Sequence, residues 1–208
     1  MRTYGQAMLR SPAMEMFVRD EFTSRWGLFW DQEHAHLAGV WIGVVWASSV
    51  HKKKGQEKAG MMELLPDPES EPTTWADARN RDWLRKVYAG ETFGAGREWP
   101  RFQMTLSSVW AWASDDRTFL ANVDHEVCHA GVSLDKDGVP RINGRTGEPV
   151  WAVRPHDAEL FTGTVRRFGA QAAGAAAVVE AASLRPRFEW VPGTPFVTVS
   201  CATCGAGR

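Results

Sequence analysis

The chain has 208 residues, a formal net charge of −1, 24% charged residues and 44% hydrophobic residues. That length suits one domain with a real core, and the composition is ordinary for a globular protein. The neutral balance argues against a nucleic-acid partner, because stacking on the 11 tryptophans would want a basic background. Three cysteines are too few for a disulfide framework.

Neither end of the chain indicates a membrane or a secretory route. No basic-then-apolar signal opens the sequence, and the apolar stretch around Leu37 to Ala47 is too short to span a bilayer. Cys201 and Cys204 form a lone CxxC, which favours a reduced tail over half of a zinc site. We therefore expect a reducing, cytoplasm-like setting and no membrane partner.

The first half of the chain predicts a helix, a buried strand and a long insertion. Residues 1–11 are interpreted as a loose lead-in, and Ser11-Pro12 as the start of a helix that runs to about Arg25. Residues 37–48 are rich in β-branched and aromatic side chains, which is typical of a buried strand. Residues 63–100 are interpreted as an insertion or loop region, with an acidic, proline-rich loop followed by a short helix from Trp75 to about Tyr88.

The next two elements lead to the most informative part of the sequence. Apolar and polar residues alternate from Phe102 to Ser107, which predicts a half-exposed strand at a sheet edge. Ser114, followed by two acidic residues, predicts a capped helix that ends at Gly131. The buried stripe of that helix is formed by four apolar residues: Phe119, Leu120, Val123 and Val127.

The sequence after residue 131 predicts turns, a strand and two helices. Asp135 to Gly138 is interpreted as a turn, since DxDG is too short for a calcium loop. A short strand covers Trp151 to Arg154, and a helix opens at His156 and is broken by Gly169. Its inner face is predicted to carry Leu160, Phe161, Val165 and Phe168. Residues 170–182 predict a second helix, residues 12–182 are expected to form the domain, and residues 183–208 an extended or disordered tail.

Residues 125–129 read His-Glu-Val-Cys-His, an HExxH motif. Positions i and i+4 of a helix lie on one face, so His125 and His129 can bind the same ion. Glu126 lies at the flank of that face, where it can take the proton of a metal-activated water. Two imidazoles and a carboxylate at this spacing predict a zinc site with Glu126 as the general base of a hydrolase.

A catalytic zinc ion usually takes a third protein ligand, which must come from elsewhere. His156 follows the motif by 27 residues and is the preferred candidate. Glu159, on the same helix face as His156, is the alternative, and either could instead orient a ligand or the water. His34 and His36 are weaker alternatives.

Other polar side chains near the motif can only support the site. Asp157, Asp124 and Asp116 are available to accept the second N–H of a ligating histidine. Cys128 is interpreted as a packing residue, and Arg154 as a candidate stabiliser of the oxyanion.

The run from Asp124 to His129 resembles the DHELCH core of the phage metallopeptidase family. Arg154-Pro155-His156-Asp157 resembles a later motif of that family, and the similarity covers roughly residues 12–169. The resemblance implies an α+β, minimal zincin-like domain, in which a small mixed sheet packs on the HExxH helix and flanking helices. It also implies Zn²⁺, bound by His125, His129 and His156, and a distant relation to SprT-like proteases.

Three functions follow as hypotheses. The first is a zinc metallopeptidase of bacteriophage origin that cleaves a protein or peptide in the cytoplasm of the bacterial host, with association to the virion as an alternative location. The second is a catalytically silent zinc-binding interaction or structural protein of a phage. The third is a SprT-like protease that acts at DNA, which the neutral charge disfavours.

Overall fold

The computed structural model describes residues 8–48, 51–53, 56–90, 97–156, 162–172 and 175–184. The chain divides after Arg154 into two units, and Pro155–Pro195 form the second. Most of the predicted lead-in and tail, including Cys201 and Cys204, lies outside the described residues. The extent of the predicted domain, residues 12–182, stays a prediction.

The first unit contains a four-stranded mixed sheet and two separate two-stranded ribbons. Its described residues form eight strands: β1 (Met8–Arg10), β2 (Ile42–Ala47), β3 (His51–Lys53), β4 (Gln56–Lys58), β5 (Gly60–Leu64), β6 (Phe102–Ser107), β7 (Ala130–Val132) and β8 (Trp151–Val153). The sheet order is β1-β2-β6-β5, in which β2 and β6 are parallel and the outer strands antiparallel. The other strands pair as β3–β4 and β7–β8. A small mixed sheet with several helices confirms the predicted α+β class.

The described part of the first unit contains four α-helices: α1 (Pro12–Val18), α2 (Trp75–Val87), α3 (Ser108–Ala113) and α4 (Asp116–Cys128). A π-helical turn, Arg19–Thr23, continues α1, so the predicted first helix is confirmed with Pro12 at its first position. A 3-10 helix, Gln32–Leu37, ends where the first strand was predicted to begin, and the strand itself is shorter than predicted, as β2. The predicted helix after Trp75 is confirmed as α2, whose capping box joins Thr74 and Asp77.

The described part of the second unit contains α5 (Thr162–Ala172) and α6 (Ala176–Ser183). Gly169 has φ 80° and interrupts α5, as predicted, because this backbone conformation favours glycine. Phe168 was predicted on an inner face but is 66% exposed. Leu160 and Phe161 lie outside the described residues.

The prediction that residues 102–107 form a half-exposed edge strand is wrong. β6 lies between β2 and β5, and all six of its residues are buried. Phe102, Met104 and Leu106 belong to the main hydrophobic cluster, whereas Gln103 and Thr105 point to the opposite face and join by a 3.4 Å hydrogen bond. The alternation of apolar and polar residues therefore distinguishes the two faces of β6, and the polar face is buried as well.

β5 is the outermost strand on this side of the sheet, although its last two residues were predicted to belong to a loop. It packs against α4, and Met62 of β5 shares the main cluster with Val123 and Val127 of α4. A second cluster surrounds Leu84, Tyr88 and Trp99. The main cluster thus fixes the motif-bearing helix against the sheet. No helix among the described residues is long and apolar enough to cross a membrane.

Candidate metal centre

The helix that carries the motif begins one residue later than predicted. Asp115, and not Ser114, is the N-cap: its carboxylate accepts 2.9 Å hydrogen bonds from the backbone N–H and from the hydroxyl of Thr118. The Ser114 hydroxyl instead donates to the carbonyl of Trp110 in the preceding helix. These bonds from Thr118 hold the pKa of Asp115 below its usual value, because they stabilise the charged carboxylate.

α4 also ends earlier than predicted. It stops at Cys128, with His129 as the C-cap, and Gly131 lies in β7 without a positive φ. The chain enters the β7–β8 ribbon at once, so no left-handed glycine is needed to end the helix. The second histidine of the motif therefore sits at the junction between helix and ribbon.

His125 and His129 meet on one face of this helix, as their spacing predicts. Their ring centroids lie 4.9 Å apart, and a ligand atom of each lies within 4.8 Å of the other. His129 is 2% exposed, whereas His125 is half-buried. One imidazole is thus fixed in the protein and the other borders solvent.

The ring of His129 is oriented by the ribbon that follows the helix. Its Nδ1 lies 2.6 Å from the carbonyl oxygen of Arg154, and the backbone N–H of Arg154 donates to the carbonyl of His129. Because a carbonyl only accepts, the proton of the neutral imidazole lies on Nδ1 and the lone pair on Nε2. This is the arrangement by which backbone carbonyls orient metal-binding histidines.

Glu126 lies on the buried side of α4 and is 0% exposed. β5 approaches it at Gly60, where an added methyl group would lie 2.8 Å from Oε1 of Glu126 and 3.0 Å from Nδ2 of Asn122. Only glycine leaves room for this carboxylate beside the strand. Gly60 was not among the predicted site residues, although a glycine within an apolar stretch is a signal of close backbone approach.

A second group of metal-binding residue types occupies the neighbouring face of the same helix. His34, Asp124 and Cys128 each offer a ligand atom within 4.8 Å of the others. Burial raises the pKa of the Asp124 carboxyl, and the nearby His34 opposes that rise. The exposed His36 lies apart from this group, with its Nε2 2.8 Å from the carbonyl of Ala130.

The remaining predicted site residues are placed only in part. His156 is half-buried and belongs to the second unit, so its position relative to the motif stays a prediction. Asp157 and Glu159 lie outside the described residues. Asp116 is exposed in the first turn of α4, and the Arg154 guanidinium lies 3.4 Å from a carboxylate oxygen of Glu33.

The two histidines of α4 fit a zinc ion. Tetrahedral bonds of about 2.0–2.1 Å hold two imidazole nitrogens about 3.3 Å apart, so small side-chain rotations would close the pair on one ion. The hydrogen bond at Nδ1 of His129 leaves Nε2 as the donor atom. The first unit therefore offers two potential ligands for such an ion.

The fold and the helix define a small α+β protein with a two-histidine, one-glutamate motif. A family model described as "Putative phage metallopeptidase" matches residues 15–183, and the chain belongs to this family. The resemblance drawn from the two sequence motifs is thereby confirmed. The chain matches no curated protein and no solved structure.

Proposed function

We propose that the protein is a zinc-dependent metallopeptidase in which Glu126 is the general base. One observation carries this proposal: His125 and His129 converge on one helix face while the adjacent Glu126 lies in the protein interior. His125 and His129 would hold the zinc ion, which would make a bound water more acidic and polarise the carbonyl of the peptide bond to be cleaved. The metallopeptidase family of the chain supports this reading.

Glu126 is proposed to move one proton. Its carboxylate accepts the proton of the attacking water and delivers it to the leaving amine. Packing against Gly60 restricts the conformations of the side chain, so the carboxylate is held ready for this task. A carboxylate on a solvated helix face would lack this restriction, and its side chain would have to become ordered in each catalytic cycle.

We propose His156 as the third zinc ligand, with Glu159 as the alternative and Asp157 as a residue that orients a ligand. Two hydrogen bonds join Arg154 to His129: the carbonyl of Arg154 accepts from the imidazole Nδ1, and the backbone N–H of Arg154 donates to the carbonyl of His129. His156 is two residues further along, so its Cα lies at most about 7 Å from that of Arg154. Covalent connection therefore permits His156 to reach the proposed ion.

The proposed substrate is a protein or peptide, bound in an extended conformation. β5 is the outermost strand of the sheet and begins at the residue that contacts Glu126. An extended segment that pairs with such an edge strand would run past the carboxylate. The phage family supports a role within an infected bacterial cell.

Glu126→Gln tests the proposed mechanism against the alternative of a silent zinc-binding protein. Removal of a general base lowers rates by about 10²- to 10⁴-fold, and the amide keeps nearly the same volume. We expect the variant to bind zinc as the wild type does and to lose cleavage of a fluorogenic casein to that extent. Cleavage at the wild-type rate would refute the role of Glu126, and an inactive wild type with bound zinc would favour the silent protein.

A further inference from the structure

α4 carries two pairs of potential metal ligands, each at i, i+4 spacing and displaced by one residue. His125 and His129 form one pair, and Asp124 and Cys128 form the other. One residue turns a helix by about 100°, so the second pair lies on the neighbouring face. The 3-10 helix Gln32–Leu37 packs against α4 and brings His34 to that face.

We propose that His34, Asp124 and Cys128 form a second metal site, for a borderline divalent ion of the Zn²⁺ type. Their ligand atoms lie within 4.8 Å of one another. Nε2 of His34 is 3.5 Å from Sγ of Cys128 and 3.8 Å from Oδ1 of Asp124. A tetrahedral zinc ion separates such atoms by about 3.6 Å and about 3.4 Å, so the three side chains need to move little.

His34 is oriented for ligation in the same way as His129. The side chain is 2% exposed, and its Nδ1 lies 3.1 Å from the carbonyl oxygen of Phe22. The carbonyl accepts the Nδ1 proton, which places the lone pair on Nε2, towards Cys128 and Asp124. The buried histidine is thus held by backbone on one side and faces the two other ligand atoms on the other.

The surroundings favour a cation and exchange with solvent. The negative charges of Asp31 and Glu33 repel that of Asp124, and a bound cation would relieve this repulsion. The side chain of Asp124 is 49% exposed and Cys128 is half-buried, so an ion has a path to the site. Cys128 is in no disulfide, and on metal binding its thiol would release a proton to solvent. The three protein ligands leave one position for water.

Cobalt(II) provides a probe that separates this site from the histidine pair. A thiolate bound to Co²⁺ gives a near-ultraviolet charge-transfer band, which imidazole ligands do not give. The chain has three cysteines, so a Cys201→Ser/Cys204→Ser background leaves Cys128 as its only thiol. In this background we expect the band to saturate at about one Co²⁺ per chain on the thiolate site.

Three single substitutions and one double variant in that background decide the assignment. Cys128→Ser should abolish the band, and His34→Gln and Asp124→Asn should each weaken Co²⁺ binding at least about tenfold with the fold preserved by circular dichroism. His125→Ala/His129→Ala should leave the band in place. Failure of the metallopeptidase proposal would not affect this result, because the readout does not involve catalysis.

The proposal is overturned by any of three outcomes. These are Co²⁺ binding to the background variant without a thiolate band, a band unchanged by both His34→Gln and Asp124→Asn, and loss of the band in His125→Ala/His129→Ala. The last result would assign Cys128 to the histidine centre.

Discussion

The two sides of α4 carry adjacent residues in opposite environments. On the side that faces the sheet, Asn122, Val123, Glu126 and Val127 are all 0% exposed. On the other side, His125 and Cys128 are half-buried, and the Asp124 side chain is 49% exposed. One helix thus buries the proposed base Glu126 while Asp124, His125 and Cys128 remain accessible to ions from solvent.

Packing on the buried side orients the whole helix. Val123 and Val127 belong to the main cluster with strands of the sheet, and Gly60 leaves little space around Glu126. Because protein interiors are close-packed, adding or removing a single methyl group displaces the neighbouring side chains. Substitutions on the buried side should therefore disturb catalysis through position, whereas those on the open side should act through ligand chemistry.

Gly60→Ala should give the largest effect on the buried side. The added methyl would meet Oε1 of Glu126 at 2.8 Å, so the carboxylate or the strand must shift. A displacement of about 1 Å at a catalytic group can lower activity on the order of 100-fold, and we expect this loss in kcat/KM with zinc content unchanged. Gly144→Ala is the matched control, because its methyl meets nothing within 4 Å. Equal activity of the two variants would contradict the close contact.

Asn122→Leu should have a smaller effect, and on stability. Among the described residues, neither Nδ2 nor Oδ1 of Asn122 has a hydrogen-bond partner, and the residue is 0% exposed. Burial of an unbonded amide costs about 1–3 kcal/mol in proteins, so the similarly sized leucine should raise the free energy of unfolding by up to that amount. Denaturant titration would measure the change, and a lower value than wild type would show that the amide is bonded in the folded protein.

Asp115→Ala should have the smallest effect, which depends on pH. The folded-state pKa of Asp115 is lowered, so its cap stabilises α4 above the usual carboxyl pKa and is lost as pH falls through the folded value. We expect the variant to melt below the wild type near neutral pH and the difference to shrink in acid. Asp116→Ala removes the same charge without the cap and is the control. A difference that is independent of pH would contradict this role.

The sequence predicted the features of the site that depend on local periodicity. The spacing of His125 and His129 and the buried Val123 and Val127 indicated a helix with both histidines on one face, and this helix and this shared face are found. Both ends of α4 were predicted at the wrong residues. Asp115 competes with Ser114 as the N-cap, and β7 follows α4 directly.

Features that depend on distant parts of the chain were not predicted. The burial of β6, the contact of Gly60 with Glu126 and the approach of His34 to Cys128 each join segments far apart in sequence. Alternation along β6 could not show that its polar face is also covered. No local pattern near His34 indicated that a residue from α4 lies 3.5 Å away.

The zinc content of a cysteine-free variant tests the central claim most directly. With Cys128, Cys201 and Cys204 changed to serine, any tightly bound zinc must be held by histidines and carboxylates. Protein purified without added metal should contain about one zinc per chain by mass spectrometry. His125→Ala/His129→Ala in this background should reduce that content to almost none. Zinc content that does not change with loss of both histidines, or wild-type protein that binds no zinc, would contradict the account.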